Sequence, residues 1–177
     1  MLRIAILGAE STGKTSLVRA MAQQLRGQGA RVQVIEEVLR PWCEDHGRTP
    51  HAHEQADIVQ TQIALVDTAA PCDYLLCDTT PLMTAIYSDL LFSDLTLYPV
   101  AVQQQRRYAV NLLAEPDLPW QPDGLQRDGV AAQKRVDQRL REVLQTFAIS
   151  SVAVKGVGAQ RLACAMVAIG HFQEVAR

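Results

Sequence analysis

The stretch that decides the fold is LRIAILGAESTGKTSLVRA, residues 2–20, in which an apolar run, a glycine-bounded loop and a helical pattern follow one another. The apolar run 2–7 predicts a buried strand, and the spacing of apolar residues from 14 to about 26 predicts a helix. The loop between them has the pattern G-x-x-x-x-G-K-[ST]. Glycines let backbone N–H groups turn inward around a phosphate, and the helix start adds its positive dipole end. We therefore predict a phosphate-binding loop at residues 8–15.

The residue types inside this loop indicate which phosphate ligand it serves. The Lys14 ammonium can reach β- and γ-phosphate oxygens, and the Thr15 hydroxyl can bind Mg²⁺. The pattern also stands between a strand and a helix, which is the position that phosphate binding requires. A chance match would have no reason to occur there. ATP and Mg²⁺ are therefore the predicted cofactors. The residues predicted to contact ATP are Gly8, Glu10, Ser11, Thr12, Gly13, Lys14, Thr15 and Ser16.

Composition places the chain among ordinary globular proteins. It has 177 residues, 48% of them hydrophobic, and a formal net charge of 17 − 19 = −2. This balance argues against nucleic acid as the main partner, since nucleic-acid-binding domains carry a basic surface. No apolar run approaches the roughly 18 residues of a membrane span. The four cysteines form no CxxC pair, which favours a reduced, cytoplasmic compartment.

Apolar runs that alternate with helical patterns predict βαβ units around a parallel sheet. Further strands are predicted at residues 31–36, 73–77, 108–114 and 151–155, and further helices near residues 53–69, 81–90, 103–107, 131–147 and 159–169. The segment 115–130, which is rich in proline and glycine, is the predicted lid. We therefore predict a single α/β domain over residues 1–177 with the P-loop NTPase fold, a five-stranded parallel sheet with helices on both faces.

Asp78 follows the third predicted strand, at the edge where ligands of open α/β sheets bind. There it fits the acid that holds the Mg²⁺ shell in P-loop proteins. The alternative is a helix N-cap, a role that Thr79 or Thr80 can serve as well. We predict Thr15 and Asp78 as metal-side residues, and Asp78 with Lys14 as catalytic residues.

Two acids, Glu36 and Glu37, end the second predicted strand. A carboxylate here can accept the proton of an acceptor hydroxyl, and strand alternation turns one of the pair into the cleft. We predict Glu37 as catalytic and Glu36 as a substrate contact; the alternative for either is a solvated strand end. Arg40, three residues after Glu37, either pairs with it on a helical turn or anchors the substrate.

An arginine beside the γ-phosphate would offset the charge that spreads over its oxygens during transfer. Arg106 and Arg107, just before the fourth strand, and Arg127, in the predicted lid, are the candidates. Arg127 is taken as the catalytic one. The alternative for each is an ordinary solvated arginine.

Two tryptophans and one glycine complete the candidate site. Trp42 and Trp120 follow the second and fourth strands, where each can stack on a ring of the acceptor or pack its own loop. Gly156 follows the fifth strand, where its backbone can run alongside the adenine ring of ATP. The alternative is a simple turn glycine. The cysteine and histidines between residues 43 and 53 match no common zinc spacing.

Several segments, taken in order, carry a resemblance to a known family. They are G-A-E-S-T-G-K-T at 8–15, E-x-x-R at 37–40, C-D-T-T at 77–80, P-D-L-P-W at 116–120 and D-G at 123–124. This order resembles the ribosylnicotinamide kinase domain of NadR-type proteins and standalone bacterial P-loop ATPases of the same superfamily. The resemblance spans nearly the whole chain, and its specificity lies in the segments outside the common phosphate loop.

The resemblance implies ATP-dependent phosphorylation of a nucleoside-like hydroxyl, with nicotinamide riboside as the acceptor. It also implies that Glu37 and Arg40 face the acceptor, and that Trp120 and Asp123 belong to a mobile acceptor-side loop. The sequence departs from the family at Thr80, where an aspartate is usual. It departs again after Trp120. The family usually has Trp-x-Asp-Asp-Gly, whereas residues 120–124 here are Trp-Gln-Pro-Asp-Gly, so one acid is missing.

Two functions stay open on these grounds. The first is a kinase that phosphorylates a small nucleoside-like molecule. The second is a regulatory ATPase that hydrolyses ATP slowly to switch a partner, which the replacement of an acid by Thr80 favours. The charge balance argues against a nucleic-acid-processing ATPase.

Overall fold

The computed structural model of the protein describes residues 1–121 and 129–175. Within them the strands are β1 (Leu2–Leu7), β2 (Val32–Ile35), β3 (Tyr74–Asp78), β4 (Val110–Ala114) and β5 (Val152–Val154). The helices are α1 (Lys14–Gly27), α2 (Leu39–His46), α3 (Gln55–Asp67), α4 (Pro81–Phe92), α5 (Tyr98–Gln105), α6 (Gly129–Thr146) and α7 (Ala159–Val175), with a 3-10 turn at Ala52–Glu54. None of these described helices is both long and apolar enough to cross a membrane.

The five strands form one sheet in the order β2-β3-β1-β4-β5, and every neighbouring pair is parallel. The central strand β1 has Ile6 opposite Asp78 of β3 and Leu7 opposite Leu113 of β4. This register brings the carboxyl ends of all three strands to one edge of the sheet, where open α/β folds bind ligands. The predicted five-stranded parallel sheet is confirmed.

Side-chain alternation along β1 divides the core into two layers. Ile4 and Ile6 pack with the apolar sides of α1 and α7, whereas Ala5 and Leu7 face the layer that α3, α4, α5 and α6 build. All four side chains are fully buried. Burying a leucine or isoleucine contributes about 1.5–3 kcal/mol, so both layers hold β1, and the loop that follows it, in place. Helices therefore cover both faces, as predicted.

The sequence prediction missed α2. The residues after the second strand were predicted to form a loop up to residue 53, but Leu39–His46 is helical and ends at Gly47, which has φ 64°. Leu39 and Cys43, one turn apart, pack with Ile58 of α3. Two apolar residues are too few for a helical period to be recognised. A tertiary contact, rather than the local pattern, stabilises this helix.

Several predicted boundaries were wrong. β2 ends at Ile35, so both acids after it lie outside the strand. α5 begins at Tyr98 rather than near residue 103, because Pro99 occupies its first turn, where a missing N–H costs no helical hydrogen bond. α6 begins at Gly129, so the last two residues of the predicted lid segment belong to a helix.

A chain of buried polar side chains ties the start of α4 to β4. Gln105, fully buried at the end of α5, accepts a hydrogen bond from Thr80 Oγ1 at 2.6 Å and donates one to Asn111 Oδ1 at 2.7 Å. Asn111 in turn donates to the Ser150 carbonyl at 2.9 Å. These bonds fix the backbone two residues after Asp78, at the carboxyl edge of the sheet.

We expect the substitution Gln105→Leu to lower the free energy of unfolding by about 2–4 kcal/mol. Leucine has a similar size but leaves Thr80 and Asn111 without their buried partner, and each such loss costs about 1–3 kcal/mol. Urea unfolding measures the change. Gln103→Leu, an exposed neighbour on the same helix, is the control. A loss of equal size in the two variants would contradict the importance of the buried chain.

Candidate functional site

Two glycines shape the loop between β1 and α1. Gly8 has φ 149°, and a Cβ placed on it would lie 2.8 Å from Thr12 Oγ1 and 2.9 Å from the Ala114 carbonyl oxygen. Gly13 has φ 74°, and its Cβ would lie 2.9 Å from Leu118 Cδ1. Both positions require glycine, because side chains rarely adopt these φ values and would find no room here. The loop is therefore pressed against the end of β4 and the segment that follows it.

The Ala9 carbonyl closes the loop from inside. It accepts hydrogen bonds from Thr12 Oγ1 and from Lys14 Nζ, each at 2.8 Å. Although Lys14 begins α1, its ammonium thus bends back over its own loop. A lysine held there is placed to meet the outer phosphates of a nucleotide.

A cavity of about 410 Å³, which we call the phosphate cavity, opens over this loop. The loop and the first turn of α1 form its floor, and its walls come from α2 and the segment after β4. Its lining residues are Ser11, Gly13, Lys14, Thr15, Ser16, Arg40, Leu118, Pro119 and Gln121. Ser11 Oγ donates a hydrogen bond to the Gln121 carbonyl, which holds the wall against the loop. Five of the residues predicted to contact ATP, 11 and 13–16, therefore share one cavity.

Asp78 ends β3 beside the start of this loop and is 3% exposed. Its Oδ1 has no hydrogen-bond partner in the described part of the chain, and neither has Thr79 Oγ1. The N-cap of α4 is Thr80, whose hydroxyl bonds to Gln105 instead of capping the helix. The alternative role of Asp78 as an N-cap is thereby removed.

The acid at the end of β3 fits the way in which nucleotide-bound magnesium is held. Mg²⁺ takes one or two carboxylates together with substrate phosphates rather than an all-protein cage. The described residues contain no group of three or more His, Cys, Asp or Glu placed to hold a metal ion. The orphaned Asp78 oxygen and the Thr15 hydroxyl are the protein groups that suit such an ion.

Only one of the two acids after β2 is turned toward the strand ends. The Glu37 side chain is 15% exposed, lies 3.7 Å from Arg40 Nε, and lines a small cleft with Thr79 and Thr80. Glu36 is exposed, and its backbone carbonyl accepts a hydrogen bond from Gln62 Nε2 at 3.3 Å. Arg40 pairs with Glu37, as one of the two alternatives predicted, and it also lines the phosphate cavity; its role as a substrate anchor stays a prediction.

A second cavity of about 350 Å³, the α4–α6 cavity, adjoins the first. Its polar lining consists of Glu10, Gln55, Tyr87 and Arg135, together with Thr49, and its apolar lining comes mainly from leucines of α2 and α4. Tyr87 Oη donates to Glu10 Oε2 at 3.3 Å. Gln55 is 1% exposed, and its Oε1 has no hydrogen-bond partner among the described residues.

The two cavities are neighbours along the chain. Glu10 and Leu39 of the α4–α6 cavity directly precede Ser11 and Arg40 of the phosphate cavity. Sequence reasoning assigned Glu10 to ATP but missed the polar residues of α3, α4 and α6. A glutamine or a tyrosine inside a helix gives no sequence signal of this kind, because only the packing of the helices brings such residues together.

An ion pair holds the outer wall of the α4–α6 cavity. Arg48 donates two hydrogen bonds of 2.7 Å to the Glu54 carboxylate, which also accepts the His51 N–H at 2.7 Å. The guanidinium, with a smaller contribution from His51, lowers the pKa of Glu54 to about 2. The stabilisation is therefore present above the ordinary pKa of 4.5 and is lost as the pH falls toward 2.

The two tryptophans do not line the phosphate cavity or the α4–α6 cavity within the described ranges. Trp42 stacks on His46 with ring centroids 3.9 Å apart, lies under the Arg48 guanidinium at 5.0 Å, and faces an open depression on the other side of α2. These contacts match the alternative of packing its own loop. Trp120 is half-buried, and its Nε1 has no hydrogen-bond partner among the described residues.

The structure excludes two of the three arginines proposed for the γ-phosphate. Arg107 pairs with Asp67 at 2.5 Å, and Arg106 donates to the Phe147 carbonyl at 3.3 Å. Both precede β4 and so lie at the amino edge of the parallel sheet, opposite the loop. Strands rise about 3.3 Å per residue, so the length of β4 separates these arginines from the site. The third candidate, Arg127, and the lid acid Asp123 lie outside the described residues.

Gly156 follows β5 with φ 92° and is held by a neighbouring segment. Its N–H donates to Asp117 Oδ2 at 2.6 Å, and its carbonyl accepts from Arg161 Nε at 2.8 Å. Arg161 also donates to the Thr12 carbonyl of the phosphate loop. Sequence reasoning missed both Asp117 as a partner of this loop and Arg161, which is 149 residues from Thr12.

Comparison with known proteins supports the fold. A family model described as an AAA domain matches residues 3–161. A structure of NadR protein in complex with NR has a TM-score of 0.77 at 18% identity and covers 97% of this chain and 50% of that chain. Another NadR structure, with NAD and AMP-PNP, has a TM-score of 0.76 at 20% identity and covers 98% and 49% of the two chains.

Deoxyadenosine kinase from M. mycoides, solved with dCMP and dCDP, has a TM-score of 0.70 at 12% identity and covers 96% of this chain and 100% of that chain. No curated protein matches the sequence significantly. This chain spans about half the length of the NadR chains that it matches. At these identities the likeness to solved structures shows the fold alone.

We expect Gly8→Ala to destabilise the protein more than Gly29→Ala does. Both glycines have positive φ, but a Cβ on Gly29 meets nothing within 4 Å, whereas one on Gly8 meets the Ala114 backbone. The control should lose about 1–2 kcal/mol for backbone strain alone, and Gly8→Ala about 1–3 kcal/mol more for overpacking. Urea unfolding of both variants measures the difference, and equal losses would contradict the close contact at Gly8.

Proposed function

The chain belongs to the AAA domain family, and on the basis of its phosphate loop we propose that it is an ATP-dependent kinase for a hydroxyl of a small nucleoside-like molecule. The observation that carries the proposal is the pair of cavities that adjoin at Glu10 and Ser11. An enzyme that only hydrolyses ATP needs the first cavity, whereas a kinase also needs its acceptor held within reach of the γ-phosphate. The second cavity is of a size typical of small-molecule sites.

On the nucleotide side, the chain would contribute position and charge. Backbone N–H groups between Gly8 and Thr15, with the dipole of α1, bind the β-phosphate, and Lys14 bridges the β- and γ-oxygens. Phosphoryl transfer needs little covalent chemistry from the protein, so this alignment supplies most of the catalysis. The NadR structure with AMP-PNP supports ATP as the nucleotide.

Asp78 and Thr15 are the residues that would hold Mg²⁺. The ion, when bound, neutralises charge on the β- and γ-phosphates. Asp78 Oδ1, which has no partner among the described residues, would be available to hold it. The Thr15 hydroxyl, on the floor of the phosphate cavity, would be the second protein group to hold it.

Glu37 is the proposed group that takes the proton of the acceptor hydroxyl. It lies in the cleft that Thr79 and Thr80 also line, beside the ends of β2 and β3. Arg40 Nε lies 3.7 Å from its carboxylate. Arg127 remains the proposed arginine for the γ-phosphate, and Trp120 and Asp123 remain proposed contacts on the acceptor side.

The α4–α6 cavity, as the acceptor site, suits a ligand that donates hydrogen bonds. The Glu10 carboxylate and Gln55 Oε1 both accept, and the one cationic side chain in the lining among the described residues is that of Arg135. A buried charge favours a ligand of opposite sign. Nicotinamide riboside has a positive ring, ribose hydroxyls and an amide N–H, and NadR has been solved with NR. It is therefore the proposed acceptor.

A regulatory ATPase is the second candidate. The observation that favours it is Thr80, whose hydroxyl is engaged by Gln105 at the position where the family that the sequence resembles has an acid. Without that acid, activation of an acceptor would fall to Glu37 alone. Such a protein would hydrolyse ATP slowly, with a rate that does not depend on any small acceptor.

Purified protein with ATP and Mg²⁺ should release ADP much faster in the presence of nicotinamide riboside than without an acceptor. Other nucleosides form the rest of the panel, and mass spectrometry identifies the phosphorylated product. Lys14→Ala should abolish the turnover, because it removes the positive charge that would face the β- and γ-phosphates. Lys134→Ala, at an exposed position of α6, should leave the turnover unchanged. Turnover that is independent of every acceptor, or that rises only with a protein partner, would rule out the kinase in favour of the regulatory ATPase.

Glu37→Gln should reduce kcat by about 100-fold or more while ATP affinity changes little, since a general base contributes roughly that factor. Glu36→Gln should have the smaller effect, because Glu36 is exposed. Steady-state kinetics at varied ATP and acceptor concentrations separate kcat from KM. A larger loss in Glu36→Gln, or a loss confined to ATP binding in Glu37→Gln, would show that Glu37 is not the base.

A further inference from the structure

Arg161, in the first turn of α7, is 4% exposed and joins three segments. Its Nη1 donates to the Thr12 carbonyl in the phosphate loop, and its Nε donates to the Gly156 carbonyl after β5 at 2.8 Å. Its Nη2 donates to the Glu115 carbonyl after β4 at 2.9 Å and to the Asp117 carboxylate. One buried guanidinium thus holds the carboxyl ends of β4 and β5 to the phosphate loop.

We propose that Arg161 is a positioning residue that orients the Thr12–Gly13 peptide for phosphate binding. A trans peptide has its C=O and N–H on opposite sides. When the Thr12 carbonyl is held by Arg161, the N–H of Gly13 is directed the opposite way. Gly13 lines the phosphate cavity, and Arg161 does not. The guanidinium therefore aims one N–H donor at the ligand without touching the ligand.

This peptide needs an external support because the loop gives it little. Gly13 has no Cβ and has φ 74°, so its backbone can adopt several conformations at similar cost. Hydrogen bonds at Ala9 fix the loop on the other side of Thr12, but none of them involves the Thr12 carbonyl. Arg161 supplies that missing contact.

The contacts of Arg161 also explain why an arginine stands here. A guanidinium is a planar fork of five donors, whereas a lysine ammonium is a single compact charge that cannot reach acceptors on three segments at once. Asp117 completes the arrangement, because it balances the buried charge and accepts the Gly156 N–H at 2.6 Å. The residues after Asp117 form a wall of the phosphate cavity. The Arg161–Asp117 pair thus couples this wall to the loop.

The test uses inorganic triphosphate and ATP as probes, with Mg²⁺, and measures their dissociation constants by calorimetry. Arg161→Lys should weaken the binding of both probes by about tenfold or more, as expected for the loss of a hydrogen bond to a charged group. The amide resonance of Gly13 in ¹⁵N–¹H spectra should also shift less on addition of triphosphate than it does in the wild type. Arg26→Lys is the matched control, because Arg26 donates to the Val32 carbonyl at the far end of α1, and its affinities should not change.

Asp117→Asn is the second variant. The side chain at this position is 36% exposed, so we expect this variant to fold. It should weaken triphosphate binding by about threefold, since Arg161 keeps its bond to Thr12 but loses its counter-charge. The proposal is overturned if Arg161→Lys lowers the melting temperature of the free protein but leaves the affinities and the Gly13 shift unchanged. If Arg161→Lys does not fold, wild-type behaviour of Asp117→Asn overturns it.

The inference rests on the proposed nucleotide binding, and the two fail differently. A wild-type protein that binds neither ATP nor triphosphate overturns the proposed function, and this inference with it. A wild-type protein that binds both, with variants that bind equally well, overturns only the role of Arg161.

Discussion

The contact between Gly8 and the Ala114 carbonyl is the constraint on which the site depends. It exists because β1 is central and parallel to β4, with Leu7 opposite Leu113, so the loop leaves β1 directly beside the end of its neighbour. A backbone that approaches this closely leaves no space for a Cβ at Gly8. The course of the loop where it leaves β1 follows from how the two strands are packed.

The distribution of unpaired polar atoms shows where this fold gives up stability. Asp78 Oδ1, Thr79 Oγ1 and Gln55 Oε1 are buried and have no partner among the described residues, and each such atom costs about 1–3 kcal/mol. All three lie at the carboxyl edge of the sheet or in the cavity beside it. By contrast, the equally buried Gln105 and Asn111 have their side-chain hydrogen bonds made. These three atoms therefore lie where a ligand would supply the bonds, whereas Trp120 Nε1, also unpaired among the described residues, lies outside both cavities.

Parallel topology also decides which charged residues can take part in the chemistry. Residues that follow a strand lie at the edge of the sheet where the loop begins, as Glu37 and Asp78 do, while residues that precede a strand lie at the opposite edge. Arg107 illustrates the second case, because it is bound to Asp67 at the end of α3. Distance along the sequence gave no hint of this, since Arg107 and Asp117 are equally close to β4. Only the direction of the strand separates them.

The sequence by itself determined the sheet, the phosphate loop and the place of Asp78. These features are encoded locally, in apolar periods and in one glycine pattern that the backbone of the loop requires. Boundaries were less certain, and α2 was missed, because a helix with two buried residues depends on its partner Ile58 rather than on its own pattern.

Tertiary structure alone decided that Glu37 rather than Glu36 faces the strand ends, that Gln55 and Tyr87 share a cavity with Glu10, and that Arg161 supports the loop. Each of these facts depends on contacts between segments that are remote in sequence, which packing brings together and which no local pattern records.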